Sequence, residues 1–406
     1  MSRVSATNPV PGRSAIRPAR VLALAARTLS RPSAPYREGA VIEWIRSFAA
    51  ARPELTLRAD PSGNLELRRR GVRASRAPLV LAAHMDHPGF RALRCTRSRA
   101  GFAIDALFLG GVRPEFFPGA RARFFVPDAD GGLSGDVGDV SARVVSVRPD
   151  RASGELRARL TARAAVPAGA FGTWDLPPFR RNARRPDLLA TRAADDLAGV
   201  TAILALFDAL DAIDPRRRVD VRACFTRAEE VGFLGAIAVA RGRRLPRDAR
   251  IVAIEASRAS PHAPQGGGPI LRVGDRISLF DDGLTRWIAR VGAALAGPTG
   301  RRFPWQRRLM DGGACESTAY QLYGYRCAAM CLPLGHYHNM SDRGRTPRIV
   351  AETIRLSDLV GLVRFFEGMV RLDEDCPRRG ATDPLHARLE QRYHSAAREL
   401  QRDPFA

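Results

Sequence analysis

Lysine is absent from this chain, so all 65 of its basic residues are arginine. Against 42 acidic residues they leave a formal charge of +23. Such a balance ordinarily points to nucleic acid, because clustered cations release phosphate counterions on binding. Total loss of one cation, alongside abundant alanine, glycine and proline, argues instead for a composition-wide bias. The arginines are dispersed in short groups such as Arg68-Arg69-Arg70, Arg180-Arg181, Arg184-Arg185, Arg216-Arg217-Arg218 and Arg301-Arg302. Most fall in expected loops, so they read as solvated surface and no nucleic-acid partner is expected.

Long apolar runs are missing too. None approaches the ~20 residues that span a bilayer, and Met1 to Arg20 lacks the apolar centre of a secretory signal. The expectation is a cytoplasmic protein with no membrane partner. The six cysteines show no paired zinc-finger spacing. Cys224, Cys327 and Cys331 lie in apolar, strand-like stretches and read as small core residues of a reducing compartment. Cys315 follows Gly312-Gly313 in an expected loop, without a signal that makes it a nucleophile.

What is present is an alternation of helical and strand patterns broken by one long insertion. A flexible arm is expected over 1–20 and helices over Val21 to Thr28 and Ala40 to Ala50. Strand-like Leu55 to Arg58 leads into a turn at Asp60-Pro61-Ser62-Gly63-Asn64, and Pro78 to Ala83 reads as a strand buried on both sides. Residues 89–185 change character to short β-like segments, including Ala122 to Val126 and Ala142 to Val147, and read as an inserted β-rich, barrel-like domain. Alternation then resumes. Helices are expected over Leu197 to Leu210, Gly232 to Ala240, Arg286 to Leu295 and Ile349 to Leu372, with strands over Val219 to Thr226, Ile251 to Ile254 and Cys327 to Leu332. The expected fold is α/β: a mixed central sheet with helices on both faces, built discontinuously from 21–88 and 186–375, with a helical extension over 376–406.

Ligands of such sheets collect at the carboxyl ends of strands, and the chemistry-bearing residues fall there. His84-Met85-Asp86 closes one apolar run, Glu229-Glu230 and Glu255 follow two others, and His336-Tyr337-His338 follows a fourth. Asp195-Asp196 precedes a helix, where one of the pair is explained by capping. Two cations ~3.5–4 Å apart need a shared carboxylate, terminal imidazoles and carboxylates, and a base beside the bridging water. In that scheme Asp195 bridges, His84 binds through one ring nitrogen, and Asp86 accepts a hydrogen bond from the other. Adjacent Glu229 and Glu230, which would repel on a bare surface, divide into base and ligand. Glu255 completes the set with His336 or His338.

These clusters, in this order, resemble the dinuclear-zinc exopeptidases of clan MH, and most nearly the glutamyl/leucyl or tetrahedral aminopeptidases of metallopeptidase family forty-two. The resemblance runs from about Ala34 to Leu372 and includes Asp60 to Leu65, Ala83 to Phe90, Leu109 to Val112, Asp195 to Gly199 and Thr226 to Gly232. It implies a zinc-exopeptidase fold, a homo-oligomer, and two divalent metal ions per subunit, zinc first and cobalt or manganese as alternatives. It further implies metal ligation by His84, Asp195, Glu230, Glu255 and His338, with Glu229 as general base and Asp86 orienting His84. A metal-activated water would then attack the first carbonyl of a peptide with a free amino terminus.

Three positions depart from the family pattern. A carboxylate is usual at His87, an aspartate at Glu255, and a Gly-Thr-Asp motif around Gly313 to Glu316. His87, Cys315, Glu316 and His336 are therefore candidate substrate-pocket residues. Two other functions fit the same sequence: removal of acyl groups from small N-acyl amino-acid derivatives, and a non-catalytic, arginine-rich binding protein.

Overall fold

The computed structural model describes residues 13–99, 101–126, 139–151, 154–297, 303–342, 344, 346–380 and 384–400. The chain opens with helices α1 (Pro18–Thr28) and α2 (Gly39–Ala50), then strands β1 (Leu55–Ala59), β2 (Leu65–Arg69) and β3 (Leu79–His84). Strands β4 (Gly89–Ser98), β5 (Gly101–Leu109), β6 (Arg121–Phe125), β7 (Val140–Pro149), β8 (Leu156–Ala162) and β9 (Phe171–Trp174) close into a barrel. There follow β10 (Phe179–Arg181), β11 (Leu188–Thr191), α3 (Leu197–Ile213), β12 (Val221–Thr226), α4 (Leu234–Arg241), β13 (Arg250–Arg258) and β14 (Ile270–Gly274). The remainder comprises α5 (Asp282–Ala296), β15 (Gln306–Leu309), α6 (Glu316–Leu322), β16 (Arg326–Leu334), β17 (Glu352–Arg355), α7 (Leu356–Arg371) and α8 (Pro384–Leu400).

The main sheet has eight strands in the order β1-β2-β12-β3-β13-β16-β14-β15. Its centre, β12-β3-β13-β16, is parallel, so four carboxyl ends emerge along one edge. β3 and β16 are buried throughout, as expected of strands covered on both faces. Helix α3 lies against the sheet and is itself covered by α1 and α7, which explains a sequence apolar on nearly every side. The barrel has a separate core of aromatic rings. Phe90 meets Phe108 at 4.8 Å and Trp174 at 4.9 Å, edge to face, the arrangement the ring quadrupoles favour.

Several local expectations are corrected. Residues 1–12 and Arg301-Arg302 lie outside the described residues, but the arm expected over 1–20 is anchored from Ser14. Ser14 Oγ donates to Glu367 at 2.5 Å, Ile16 is buried, and α1 begins at Pro18, whose fixed φ suits a first helical turn. The helix expected from Ile349 begins at Leu356; before it, Glu352–Arg355 is strand β17, paired with β11. Thr353 and Ile354 are β-branched, and β11 offers them an unpaired edge, so pairing overrides the apolar run that follows.

Candidate metal centre

Four strand ends deliver the candidate residues. β3 pairs with β12 out to His84 opposite Thr226, and the chain beyond Thr226 turns to Glu229 and Glu230. β3 pairs with β13 only as far as Ala82 opposite Ala253. Glu255 therefore stands free of β3, two residues on and on the same face, inside a strand that continues to Arg258 rather than ending at Ile254. After β16, His336, His338 and Asn339 all have positive φ. This sharp turn folds His338 back over the strand ends, while His336 stays at the surface beside Asp342.

The resulting cage is centred on Asp195. Its Oδ1 lies 3.5 Å from His84 Nε2 and its Oδ2 lies 3.5 Å from His338 Nε2, so the two carboxylate oxygens face different imidazoles. Glu230 Oε1 is 3.2 Å from His338 Nε2, and Glu229 Oε2 is 3.9 Å from His84 Nε2. Three overlapping sets have ligand atoms within 4.8 Å of one another: His84 with Asp195 and Glu255, His84 with Glu229 and Glu230, and Asp195 with Glu230 and His338.

Both imidazoles are set for ligation by their other nitrogen. His84 Nδ1 lies 3.1 Å from the main-chain carbonyl of Asp86, and His338 Nδ1 lies 2.8 Å from that of Gly111, contributed by the barrel domain. A carbonyl only accepts, so each Nδ1 donates and each Nε2 can offer a lone pair to the cage.

Electrostatics also calls for cations. Burial, and then repulsion from Glu255, Glu230 and Asp86, holds the Glu229 carboxyl well above the usual range despite the opposing pull of His84. Burial and Asp195 do the same to Glu255. Burial would lower both imidazoles, but Glu229 at His84 and Glu230 at His338 outweigh it and raise them well above the ordinary value. Asp195 is shifted the other way, because His338 and His84 outweigh its own burial. Glu255 Oε1 is buried without a hydrogen-bond partner, and Glu230 Oε1 is buried with only the His338 imidazole beside it. Nitrogen and carboxylate oxygen in this number suit divalent transition metals.

A surrounding layer fixes the cage. Asp86 does more than expected: its Oδ1 and Oδ2 accept the main-chain N–H groups of Glu229 at 2.9 Å and Glu230 at 3.1 Å, while His84 Nδ1 lies 3.1 Å from its carbonyl oxygen and 3.6 Å from its Oδ1. The turn after β3 points this carboxylate toward the next strand end. Glu38 and Asn64 hold the same loop from its other side by accepting the N–H groups of Ala228 and Arg227, which gives the Asp60 to Asn64 turn its purpose. Asp196 caps α3 by accepting the N–H of Gly199. Any side chain at 199 would meet Asp196 Oδ2, since a Cβ there would lie 2.2 Å away.

A model of the M42 glutamyl aminopeptidase family matches residues 63–351. The chain belongs to the M42 aminopeptidase family. Its activity is that of a metal-dependent aminopeptidase, a hydrolase of peptide bonds. None of the curated protein sequences matches it.

Solved structures show the fold again. An aminopeptidase from the archaeon Desulfurococcus kamchatkensis is 18% identical, covers 87% of this chain and 95% of its own, and superposes with a TM-score of 0.67. The TET aminopeptidase of a marine-sediment Thaumarchaeota archaeon is 19% identical over 87% of this chain and 97% of its own, with a TM-score of 0.68. The TET1 peptidase of Pyrococcus horikoshii, described as assembling into a tetrahedron or a large octahedral shell, is 19% identical over 86% of this chain and 99% of its own, with a TM-score of 0.66.

Within this M42 chain the four candidate pocket residues do not line the cavity over the cage. That cavity is about 220 Å³ and is walled by Asp195, Glu229, Glu230, Glu255, Tyr337 and His338, among others. His87 is buried behind Asp195, with Nδ1 2.7 Å from its carbonyl oxygen and Nε2 3.0 Å from Asn339 Oδ1. Cys315 packs with Ala253, Phe280 and Ala329, and burial pushes its thiol above the ordinary range. Glu316, the first residue of α6, has both oxygens buried, and burial lifts its carboxyl to about 7.

Two residues were not anticipated. Glu352 is fully buried and accepts three N–H groups: from Ala194 at 2.6 Å, Asp195 at 3.2 Å and His338 at 2.8 Å. Its signal was the strand pattern of Glu352–Arg355, hidden by the expected helix. Arg272, on β14, lines an adjoining cavity of about 420 Å³ with Met310, Gly312 and Gly313.

Proposed function

We propose that the cage holds two divalent cations with Asp195 between them, His84 and Glu255 on one side and Glu230 and His338 on the other. The observation that carries this reading is the pair of 3.5 Å approaches by which the two oxygens of Asp195 face different histidines. Zinc suits the donor set best, and cobalt or manganese suit it well enough to substitute. Such ions would polarise the scissile carbonyl and lower the pKa of the attacking water. Glu229, beside His84 and not needed to complete either ligand set, takes the proton from that water and passes it to the leaving amine. Asp86 holds Glu229 and Glu230 by their main-chain N–H groups and keeps base and ligand in register.

The substrate is a peptide with a free amino terminus. Its first side chain enters the cavity beside Glu255, where Arg272 is 97% buried with its Nε unpartnered. A buried guanidinium favours a carboxylate ligand, so an acidic first residue fits this wall. The assemblies described for related peptidases support a homo-oligomer.

A panel of free-amine peptides and N-acylated amino acids, assayed before and after chelation and after return of zinc, cobalt or manganese, tests the reading. Hydrolysis confined to free-amine substrates, lost on chelation and restored by metal, is the expected result. Preference for acylated substrates, or activity indifferent to chelation, contradicts it.

A further inference from the structure

Away from the cage, a cleft of about 680 Å³ separates the barrel from the α1–α2 connection and the segment after β9. Its wall carries Arg27, Arg31, Arg180 and Arg192, with Phe125, Arg123 and the carboxylates Asp139 and Asp175 also lining it. Arg192 stands out because it is 93% buried. One terminal nitrogen donates to the carbonyl of Ser30 at 2.7 Å, while Nε has no partner. The Nε of Arg31 is buried and unpartnered as well.

Buried charges are ordinarily paired, because removing a cation from water is costly unless an anion compensates. Among the described residues, the acids nearest Arg192 are already engaged. Asp175 binds Arg123 at 2.9 Å and Asp139 binds the same arginine at 3.3 Å. Burial, joined by repulsion from Arg123, outweighs their pull and brings the Arg192 guanidinium down to about 10. Arg192 also faces the Phe125 ring at 5.4 Å, which supplies only a weak quadrupolar contact. Among the described residues the cleft is thus lined by five arginines, Arg27, Arg31, Arg123, Arg180 and Arg192, against two carboxylates, Asp139 and Asp175, both of which are bound to Arg123.

We propose that this cleft is a binding site for a small dianion bearing a phosphate or carboxylate group, with Arg192 at its base and Arg31, Arg27 and Arg180 around it. Planar guanidinium groups recognise both anions through paired N–H donors. The site is wired to the metal cage. The Arg192 carbonyl accepts Asn339 Nδ2 at 3.0 Å, and Asn339 Oδ1 meets His87, whose Nδ1 contacts the Asp195 carbonyl. An anion held here braces the segment that carries Asp195.

Calorimetric titration of the metal-loaded protein with inorganic phosphate and, separately, succinate at fixed ionic strength tests the proposal. Peptidase inhibition in the same solutions reports any binding at the metal centre. The expected result is saturable binding of one equivalent of at least one dianion without competitive inhibition. Which one binds separates the phosphoryl from the carboxylate source. Arg192→Gln should weaken that binding roughly tenfold or more, as loss of a charged hydrogen-bond donor does. The exposed rim changes Arg27→Ser and Arg180→Ser, which leave the core intact, should together weaken it measurably and decide the matter if Arg192→Gln does not fold. The proposal is overturned if wild type binds neither dianion, or if affinity is unchanged in every variant that folds. It is equally overturned if no anion binds and Arg192→Gln instead splits an oligomer, which would make the cleft a subunit contact.

Discussion

Glu352 accepts the main-chain N–H of His338 at 2.8 Å, joining the edge strand β17 to the histidine that closes one side of the cage. The same carboxylate accepts the N–H groups of Ala194 and Asp195, so it fixes two cage segments at once. Glu352→Ala removes all three bonds. Metal affinity, measured by competition with a chromogenic chelator, should fall about 10–100-fold, as it does when a group supporting metal ligands is lost. Unchanged affinity would show that the cage does not depend on this anchor.

Asp86 supports the Glu229-Glu230 loop as well as the ring of His84. Asp86→Asn replaces one accepting oxygen with an amide nitrogen that cannot accept the N–H of Glu229 or Glu230. The kcat should drop by roughly 10–100-fold with smaller change in KM, since base and ligand shift while the substrate wall remains. Steady-state kinetics with metal content measured on the same preparation checks this.

The parts of this fold legible in the sequence are those that local pattern governs. Pro78 to Ala83 and Cys327 to Leu332 are continuous apolar runs and, with the strand-like Val219 to Thr226, became central strands; His84, Glu229, Glu230, Glu255 and His338 were found because they follow such stretches, and Asp195 because it precedes a helix. Asp196 as a cap was equally readable, since capping is a three-residue interaction. What escaped depends on contacts distant in the chain. β17 is a strand because β11, more than 160 residues earlier, offers it an edge. The carboxylate of Asp86 also accepts the N–H of Glu229, 143 residues away. Cys315 read as a loop residue from its glycines, yet it is buried where α6 meets β13 and β16.

Stability should carry a signature of Asp358. This carboxylate is buried and accepts the N–H groups of Gly266 and Gly268 at 2.8 and 2.9 Å, yet burial raises it from 3.8 to about 6. Between those values the folded protein holds a proton that the unfolded chain has released, so its contribution is complete below about pH 4 and is lost as pH rises through 6. The loss is on the order of 2–3 kcal/mol. Urea unfolding from pH 4 to 7 should show the stability of wild type falling relative to that of Asp358→Asn as pH rises, with titration of the cage common to both. Parallel curves would contradict the assignment.

Arg272 should govern the first residue of the substrate. Arg272→Met keeps the apolar bulk of the side chain but removes its charge. The ratio of kcat/KM for acidic over neutral first residues should fall by about tenfold or more, with activity on a neutral substrate retained. A ratio unmoved by the change would exclude acidic recognition at this wall.

Glu229 moves a proton within a cage whose ligands are other residues. Glu229→Gln, analysed for bound metal and for peptide hydrolysis on the same sample, tests it most directly. Two metal equivalents should be retained, with kcat reduced by about 10²–10⁴-fold. Near-normal hydrolysis, or loss of the metal along with the activity, would contradict it.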